Sequence, residues 1–297
     1  MRVRMNLDKK HAVIVTIGAF VASYYALGAW IIHCDIDRFL LPHVALAAKT
    51  SEDASFRIGT TNKEILVRRY GKAEKGCIIF FPGQHAGVPK YEQYLYPKFK
   101  EAGLEVFSLS YPGQEGASGT TSVPELLILI GKVIARVEKS CSMRRTVFVG
   151  RSLGSMLAIS SVSNAKPAGV VLEGAAPSLS LAAKVYLNNK WYLKPFSLLP
   201  IKSLLRHDYS LAEAFKKLGY VPVVIFQGTA DTTTPLSLLQ KEVSFPAGVR
   251  LRAIEGGTHS DTYRIAMDEY VETVVEMASG RLPSNKDRTS ISSTGRR

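Results

Sequence analysis

Cysteine and tryptophan are scarce in this chain: three and two residues, respectively, among 297. Three cysteines, Cys34, Cys77 and Cys141, are too few for a disulfide framework, and the odd count leaves at least one thiol unpaired. No cysteine or histidine stands at zinc-type spacing, which excludes a structural zinc module as the organising element. Negative charge is also short, with 25 Asp and Glu against 38 Lys and Arg, a formal net charge of +13 at pH 7. That surplus raises the question of nucleic-acid binding, and its distribution answers it. Arg2, Arg4, Lys9 and Lys10 against Asp8 give the N-terminal end +3, and Arg281, Lys286, Arg288, Arg296 and Arg297 against Asp287 give the C-terminal end +4. The remaining +6 is spread over 270 residues with no basic stripe interleaved with aromatics, so no nucleic-acid partner is expected.

A hydrophobic content of 46% over this length is enough to bury one sizeable core. Ala12 to Ile32 is a run of 21 residues without a charge, about the length that crosses a hydrocarbon core as a helix. Tyr24, Tyr25 and Trp30 lie toward its C-terminal end and the basic flank precedes it, so the N-terminus is expected on the cytoplasmic side and the remainder beyond the membrane. An uncleaved anchor fits the length of the run. A cleaved signal peptide is the alternative, since Ala26-Leu27-Gly28 is small-x-small, and a buried core helix is a third reading. The expected organisation is a basic N-terminus (1–11), a transmembrane segment (12–32), a juxtamembrane connection with a short helix (33–54), a globular domain (55–280) and a polar, basic, disordered tail (281–297).

Within the globular part, Phe56-Arg57-Ile58 and Ile65-Leu66-Val67-Arg68 read as a hairpin around Thr60 to Lys63. Cys77 to Phe81 and Leu104 to Ser110 are continuous apolar runs that end in Pro82-Gly83 and Tyr111-Pro112-Gly113, as expected of strands buried on both faces. Helices are expected over Lys90 to Glu101 and Val123 to Lys139, further strands over Thr146 to Val149, Gly169 to Glu173, Val221 to Gln227 and Arg250 to Glu255, and a last helix over Asp261 to Ser279. Such alternation specifies an α/β fold with a mostly parallel central sheet and helices on both faces. It stops between Ala175 and Tyr209. That insertion, with Trp191, Tyr192 and Phe196, is expected either as an apolar lid over a substrate pocket or as a plain helical excursion.

Gly150-Arg151-Ser152-Leu153-Gly154 stands between a strand and a helix. A sharp turn there holds the Ser152 hydroxyl clear of the sheet, at a helix N-terminus that favours negative charge on a nearby oxygen. A serine hydroxyl needs a base to take its proton and an acid to orient that base. Asp231 follows the strand ending Gln227-Gly228, and His259 follows Gly256-Gly257-Thr258; in a parallel sheet these strand ends share one edge. Ser152, Asp231 and His259 are therefore the expected catalytic residues, with His85 a rival base, Asp208 and Asp261 rival acids, and Glu173 a strand cap. The backbone N–H groups of Leu153 and Gln84 are the expected oxyanion donors. His85, Trp191, Tyr192 and Phe196 are the expected pocket and lid residues.

Gly-Arg-Ser-Leu-Gly, Gln-Gly-Thr-Ala-Asp-Thr-Thr-Thr-Pro and Gly-Gly-Thr-His-Ser-Asp together resemble the α/β-hydrolase superfamily, over about Ser55 to Ser279. Tyr111-Pro112-Gly113-Gln114-Glu115-Gly116-Ala117-Ser118-Gly119 is similar to the Tyr-Arg-Gly-Tyr-Gly-x-Ser-x-Gly stretch of its Bem46-like branch, whose members include membrane-anchored serine hydrolases and relatives of monoacylglycerol lipases. Pro112 stands where that branch has Arg, and Pro82-Gly83-Gln84 where His-Gly-Asn is usual. The resemblance implies an α/β-hydrolase fold and hydrolysis of an acyl bond through an acyl-serine, without a metal or organic cofactor. A lipid or medium-chain ester is the expected substrate; thioester or amide hydrolysis, acyl transfer, and a non-catalytic binding protein on the same fold are the alternatives. The family topology sets the strands of Cys77 and Cys141 side by side; separate packing as small hydrophobes is expected, and a bridge is the alternative. Cys34, beside the membrane, is a further candidate for lipidation.

Overall fold

The computed structural model describes residues 2–281; of the expected disordered tail, all but the first residue lies outside them. Eight strands form one sheet: β1 (Ala54–Thr60), β2 (Lys63–Tyr70), β3 (Gly76–Phe81), β4 (Leu104–Ser110), β5 (Thr146–Arg151), β6 (Gly169–Glu173), β7 (Val223–Gly228) and β8 (Val249–Ile254). Their spatial order is β1-β2-β4-β3-β5-β6-β7-β8. β2 pairs antiparallel with both β1 and β4, and every pairing from β4 to β8 is parallel.

Helices make the crossovers. α3 (Val88–Tyr94) and α4 (Tyr96–Glu101) join β3 to β4, and α5 (Val123–Glu138) joins β4 to β5, while α1 (Arg2–Cys34) and α2 (Ile36–Leu40) precede the sheet. α6 (Leu153–Ser160) and α7 (Val162–Ala165) follow β5; α8 (Leu179–Asn188), α9 (Ile201–Leu204) and α10 (Leu211–Phe215) follow β6. α11 (Leu236–Glu242) follows β7, and α12 (Thr262–Ile265) and α13 (Met267–Ala278) close the chain. The sequence pattern predicts one helix over Lys90 to Glu101. Two form because Pro97, in the first turn of α4, has no N–H to continue the preceding helix.

Successive strand residues point to opposite faces, so a continuous apolar run serves two cores. Ile79, Phe81, Phe148, Leu172 and Ile225 pack with α5 and α6 on one face, and Ile78, Phe80, Val149, Val171 and Phe226 pack with α3, α4 and α13 on the other. Cys77 and Cys141 are joined as a disulfide, with Cα atoms 6.5 Å apart, in place of the separate packing expected. The cause is register. Parallel pairing sets Cys77 opposite Thr146, the first residue of β5, and Cys141 lies on the segment entering that strand. The bridge closes the sheet edge remote from the strand ends that carry Ser152, Asp231 and His259.

His11–Cys34, within α1, is long and apolar enough to cross a membrane by length and composition, with mean hydropathy 1.8. Val13, Ile14, Val15, Ile17, Phe20 and Val21 are exposed, which rules out the buried core helix. The C-terminal part of α1 instead rests on the insertion: Phe196 stacks on Tyr24 with ring centroids 4.3 Å apart, Tyr24 Oη donates to Tyr192 O (3.1 Å), and His33 Nδ1 donates to Leu204 O (2.8 Å).

Candidate active site

Because β3 to β8 run parallel, their carboxyl ends meet along one edge, and the loops after β3, β5, β7 and β8 bring Gln84, Ser152, Asp231 and His259 there. Ser152 lies between β5 and α6 with φ 53° and ψ −119°, a positive-φ conformation that a non-glycine residue adopts only when its surroundings enforce it. Gly154 is one source of that constraint. A Cβ there would stand 1.9 Å from Phe81 O, so only glycine lets α6 begin against the end of β3. Ser152 N–H donates to Glu173 O (2.8 Å), and Ser155 Oγ donates to Gly150 O (2.8 Å), fastening the turn from behind.

His259 Nε2 is 3.0 Å from Ser152 Oγ, and its Nδ1 is 2.8 Å from Asp231 Oδ2. Asp231 is buried, and its carboxylate accepts three further hydrogen bonds: Oδ1 from the N–H groups of Thr233 and Thr234 (both 2.8 Å) and Oδ2 from Thr234 Oγ1 (2.7 Å). Burial works to raise the pKa of this carboxyl. The hydrogen bond and charge of His259, with the Thr234 donors, outweigh it and hold the group below the ordinary carboxylate range. Thr234 has one hydroxyl proton, given to Asp231, so it accepts from Gln227 Nε2 (3.1 Å), whose Oε1 in turn accepts from Ala175 N–H (3.1 Å). At Gly174, with φ +59°, a Cβ would lie 3.0 Å from His259 Cε1, and the imidazole occupies that space.

The rival acids have other duties. Asp208 accepts from Ser180 N–H (2.8 Å) and Oγ (2.7 Å) at the start of α8, and Asp261 accepts from Thr258 N–H and Oγ1 (both 2.7 Å), shaping the loop that carries His259. His85 is exposed. Glu173 is more than a strand cap: its buried carboxylate accepts from Tyr263 N–H (3.1 Å) and lies 3.5 Å from Arg151 Nε. Burial pushes this carboxyl up against the opposing Arg151 charge. Arg151 donates to Tyr91 Oη (3.1 Å) and to His259 O, so the residue before Ser152 is tied to the histidine loop. Its place as the variable residue of Gly-x-Ser gave no sign of that link.

The loop after β3 is braced by the segment that follows β4. Tyr111 Oη donates to Pro82 O (3.0 Å), Gln114 Nε2 donates to Gln84 O (2.8 Å), and Glu115 Oε1 accepts from the N–H groups of Gly87 (3.0 Å) and Val88 (2.8 Å). Glu115 is buried, which raises its pKa against those two N–H bonds. Tyr111-Pro112-Gly113-Gln114-Glu115-Gly116 thus holds the backbone on which Gln84 sits.

An apolar cavity of about 130 Å³ opens beside Ser152, with Gln84 and Leu153 in its wall. Met156, Leu179 and Ala183 line one part, and Ile36, Phe39 and Leu40, from the helix after the apolar N-terminal segment, line another. The expected pocket residues are elsewhere. Trp191 is 86% exposed, Tyr192 53%, and Phe196 lies on Tyr24; none of the three, nor His85, lines this cavity. Phe196 stacks on Tyr24 of α1, and the Trp191 and Tyr192 rings meet each other edge to face, centroids 5.8 Å apart. Among the described residues no group of three or more His, Cys, Asp or Glu side chains could hold a metal ion. The arrangement can chemically do one thing well: move a proton from a serine hydroxyl to an imidazole beside an apolar cavity.

No protein-family model matches the sequence, and no curated protein matches it. Solved structures do match. An α/β serine hydrolase homologue from Coxiella burnetii aligns over 77% of this chain and 99% of its own, at 17% identity and a TM-score of 0.53. The esterase PF2001 of Pyrococcus furiosus aligns over 80% and 97%, at 16% identity and TM-score 0.57. A monoacylglycerol lipase from Paleococcus ferrophilus aligns over 76% and 99%, at 19% identity and TM-score 0.51. With its mostly parallel eight-stranded sheet, its surrounding helices and these structural matches, the chain has the α/β-hydrolase fold.

Proposed function

We propose that this protein is a membrane-anchored serine hydrolase of acyl esters, similar to the Bem46-like and monoacylglycerol-lipase-like branch of its fold. The observation that carries the reading is the Ser152–His259–Asp231 relay, with contacts of 3.0 and 2.8 Å, on a turn whose serine holds φ 53°. His259 Nε2 takes the proton as Ser152 Oγ attacks the substrate carbonyl, and Asp231 holds the ring in the correct tautomer and stabilises its charged form. The oxyanion of the tetrahedral intermediate accepts from the backbone N–H groups of Leu153 and Gln84, each worth about 3 kcal/mol. His259 then protonates the leaving alcohol, and water repeats the cycle on the acyl-serine. The cycle needs no metal or organic cofactor.

The esterases and the monoacylglycerol lipase among the structural matches favour an ester, and the apolar cavity favours an acyl group over a polar peptide. The anchor reading draws support from α1, in which His11–Cys34 is long and apolar enough to cross a membrane. The basic N-terminal flank favours a cytoplasmic N-terminus, and the disulfide favours an oxidising compartment for the domain.

A fluorophosphonate probe should label the wild-type protein and leave Ser152→Ala unlabelled. Folded wild type that takes no label would make the protein a binding module on this fold. Cleavage of short peptides without cleavage of any acyl ester would overturn the ester reading, and product analysis with competing alcohols separates hydrolysis from acyl transfer. Gln114 acts here as a positioning residue. Gln114→Ala should lower kcat by about 10- to 100-fold with KM changed far less, because the Gln84 N–H is misplaced only where the oxyanion forms. Equal changes in kcat and KM would refute that role.

A further inference from the structure

The cavity beside Ser152 is lined by two elements from distant parts of the chain. Ile36, Phe39 and Leu40 of α2 line it together with Tyr186 of α8. Phe39 and Tyr186 meet as a T-shaped pair, ring centroids 5.0 Å apart and planes at 65°. Phe39 is 40% exposed and Tyr186 37%, whereas Leu40 is buried, so this pair stands at the rim. α2 is too short to hold its place alone, and its fastenings lead to the site. Gln84 Nε2 donates to Phe39 O, Asp37 Oδ1 accepts from Val123 N–H at the start of α5 (3.0 Å), and Val44 exchanges backbone hydrogen bonds with Gly113 (3.0 Å) and Glu115 (2.7 Å). The residue that offers its backbone N–H to the oxyanion thus grips, through its side chain, the residue that caps the cavity.

We propose that Phe39, clasped by Tyr186, is the ruler that sets acyl chain length, so that the segment between the apolar helix and the hydrolase domain is a specificity element of the site. This deepens the hydrolase reading and rests on it for the identity of the ligand as an acyl group. An apolar cavity of about 150 Å³ holds a molecule the size of benzene, so the 130 Å³ here has room for an acyl chain of about six carbons. As a ruler, the pair makes each further methylene displace a ring, and one methylene in a fixed apolar pocket changes discrimination by about 10- to 200-fold. The expected acyl group therefore lies at the short end of the medium-chain range and is shorter than a long-chain lipid acyl group.

The test uses the full chain in detergent micelles with p-nitrophenyl esters from butyrate to dodecanoate. The wild type should be most active on butyrate and hexanoate. Phe39→Ala and Tyr186→Ala should each raise the decanoate-to-butyrate ratio of kcat/KM at least tenfold, and Tyr186→Phe, which keeps the ring, should not move it. An unchanged ratio in both alanine variants, with the wild-type melting transition retained, overturns the proposal. Binding of hexanoate and decanoate to Ser152→Ala and Ser152→Ala/Phe39→Ala, measured by calorimetry, separates the two readings. Decanoate binding gained only with Phe39→Ala supports the ruler even in a protein that turns over no ester, in which case the hydrolase reading alone fails. No gain in binding and no shift in turnover defeats the ruler.

Discussion

Ser152→Ala and His259→Ala should each lower kcat on an acyl ester by about 10⁶-fold, and Asp231→Asn by about 10⁴-fold. The first two are equal because the serine and the histidine act as a unit: without the base the hydroxyl stays protonated, and without the hydroxyl the base has nothing to activate. The double variant should be no slower than either single one. Asp231→Asn is milder in origin. Asn can still accept from the Thr233 and Thr234 N–H groups, but its amide offers hydrogens where the carboxylate accepted from Thr234 Oγ1 and His259 Nδ1. The ring then favours the tautomer that puts a proton on Nε2, facing Ser152. Residual activity of about 10³-fold over water should persist in all of these variants if the Leu153 and Gln84 N–H groups bind the oxyanion. Single-turnover rates with a short-chain ester check the series. A Ser152→Ala variant within tenfold of wild type would remove the serine from the chemistry.

Ser152, Asp231 and His259 could be singled out from sequence because each stands on a local pattern, an apolar strand followed by glycine and then by a chemically able side chain, and parallel strands bring such patterns to one edge. The residues that position them carry no such pattern. Arg151 reaches His259 across 108 positions, and Gln114 reaches Gln84 across 30, contacts decided by sheet order and loop path. Glu173 read as a strand cap because its partners, Arg151 and Tyr263, are neighbours only once β5 and β6 have paired and the chain has returned after β8. The aromatic residues of the insertion misled for a different reason. Trp191, Tyr192 and Phe196 have the composition of a pocket lining, but composition does not say which surface they meet: Phe196 meets Tyr24 of α1, and Trp191 and Tyr192 meet each other. The cavity wall combines Leu179, Ala182, Ala183 and Tyr186 of the insertion with Ile36, Phe39 and Leu40, in a stretch that the sequence marks only as a connection.

The largest stability effect should come from Cys141→Ala, at about 4 kcal/mol. The bridge spans a sequence separation of 64 residues, and cross-linking a loop of that size removes about 4 kcal/mol of conformational freedom from the unfolded chain in the loop-entropy account. For a domain of this size that corresponds to a fall in Tm of about 10 °C. Alanine is the informative replacement, since Cys77 and Cys141 are both buried in the apolar core and a serine would add the cost of an unpaired hydroxyl. Cys77→Ala and the double variant should lose the same amount, because either single change already removes the cross-link. Thiol reductant should lower the wild-type Tm toward that of the variants and leave the variants unmoved. Because the bridge lies at the edge of the sheet opposite Ser152, activity at 25 °C should survive in each variant within about threefold. Equal Tm values for wild type and Cys141→Ala under oxidising conditions would mean that the thiols do not pair in solution. That result would also withdraw the support the bridge lends to an oxidising compartment, leaving the basic flank before Ala12 as the remaining argument for the orientation of the chain.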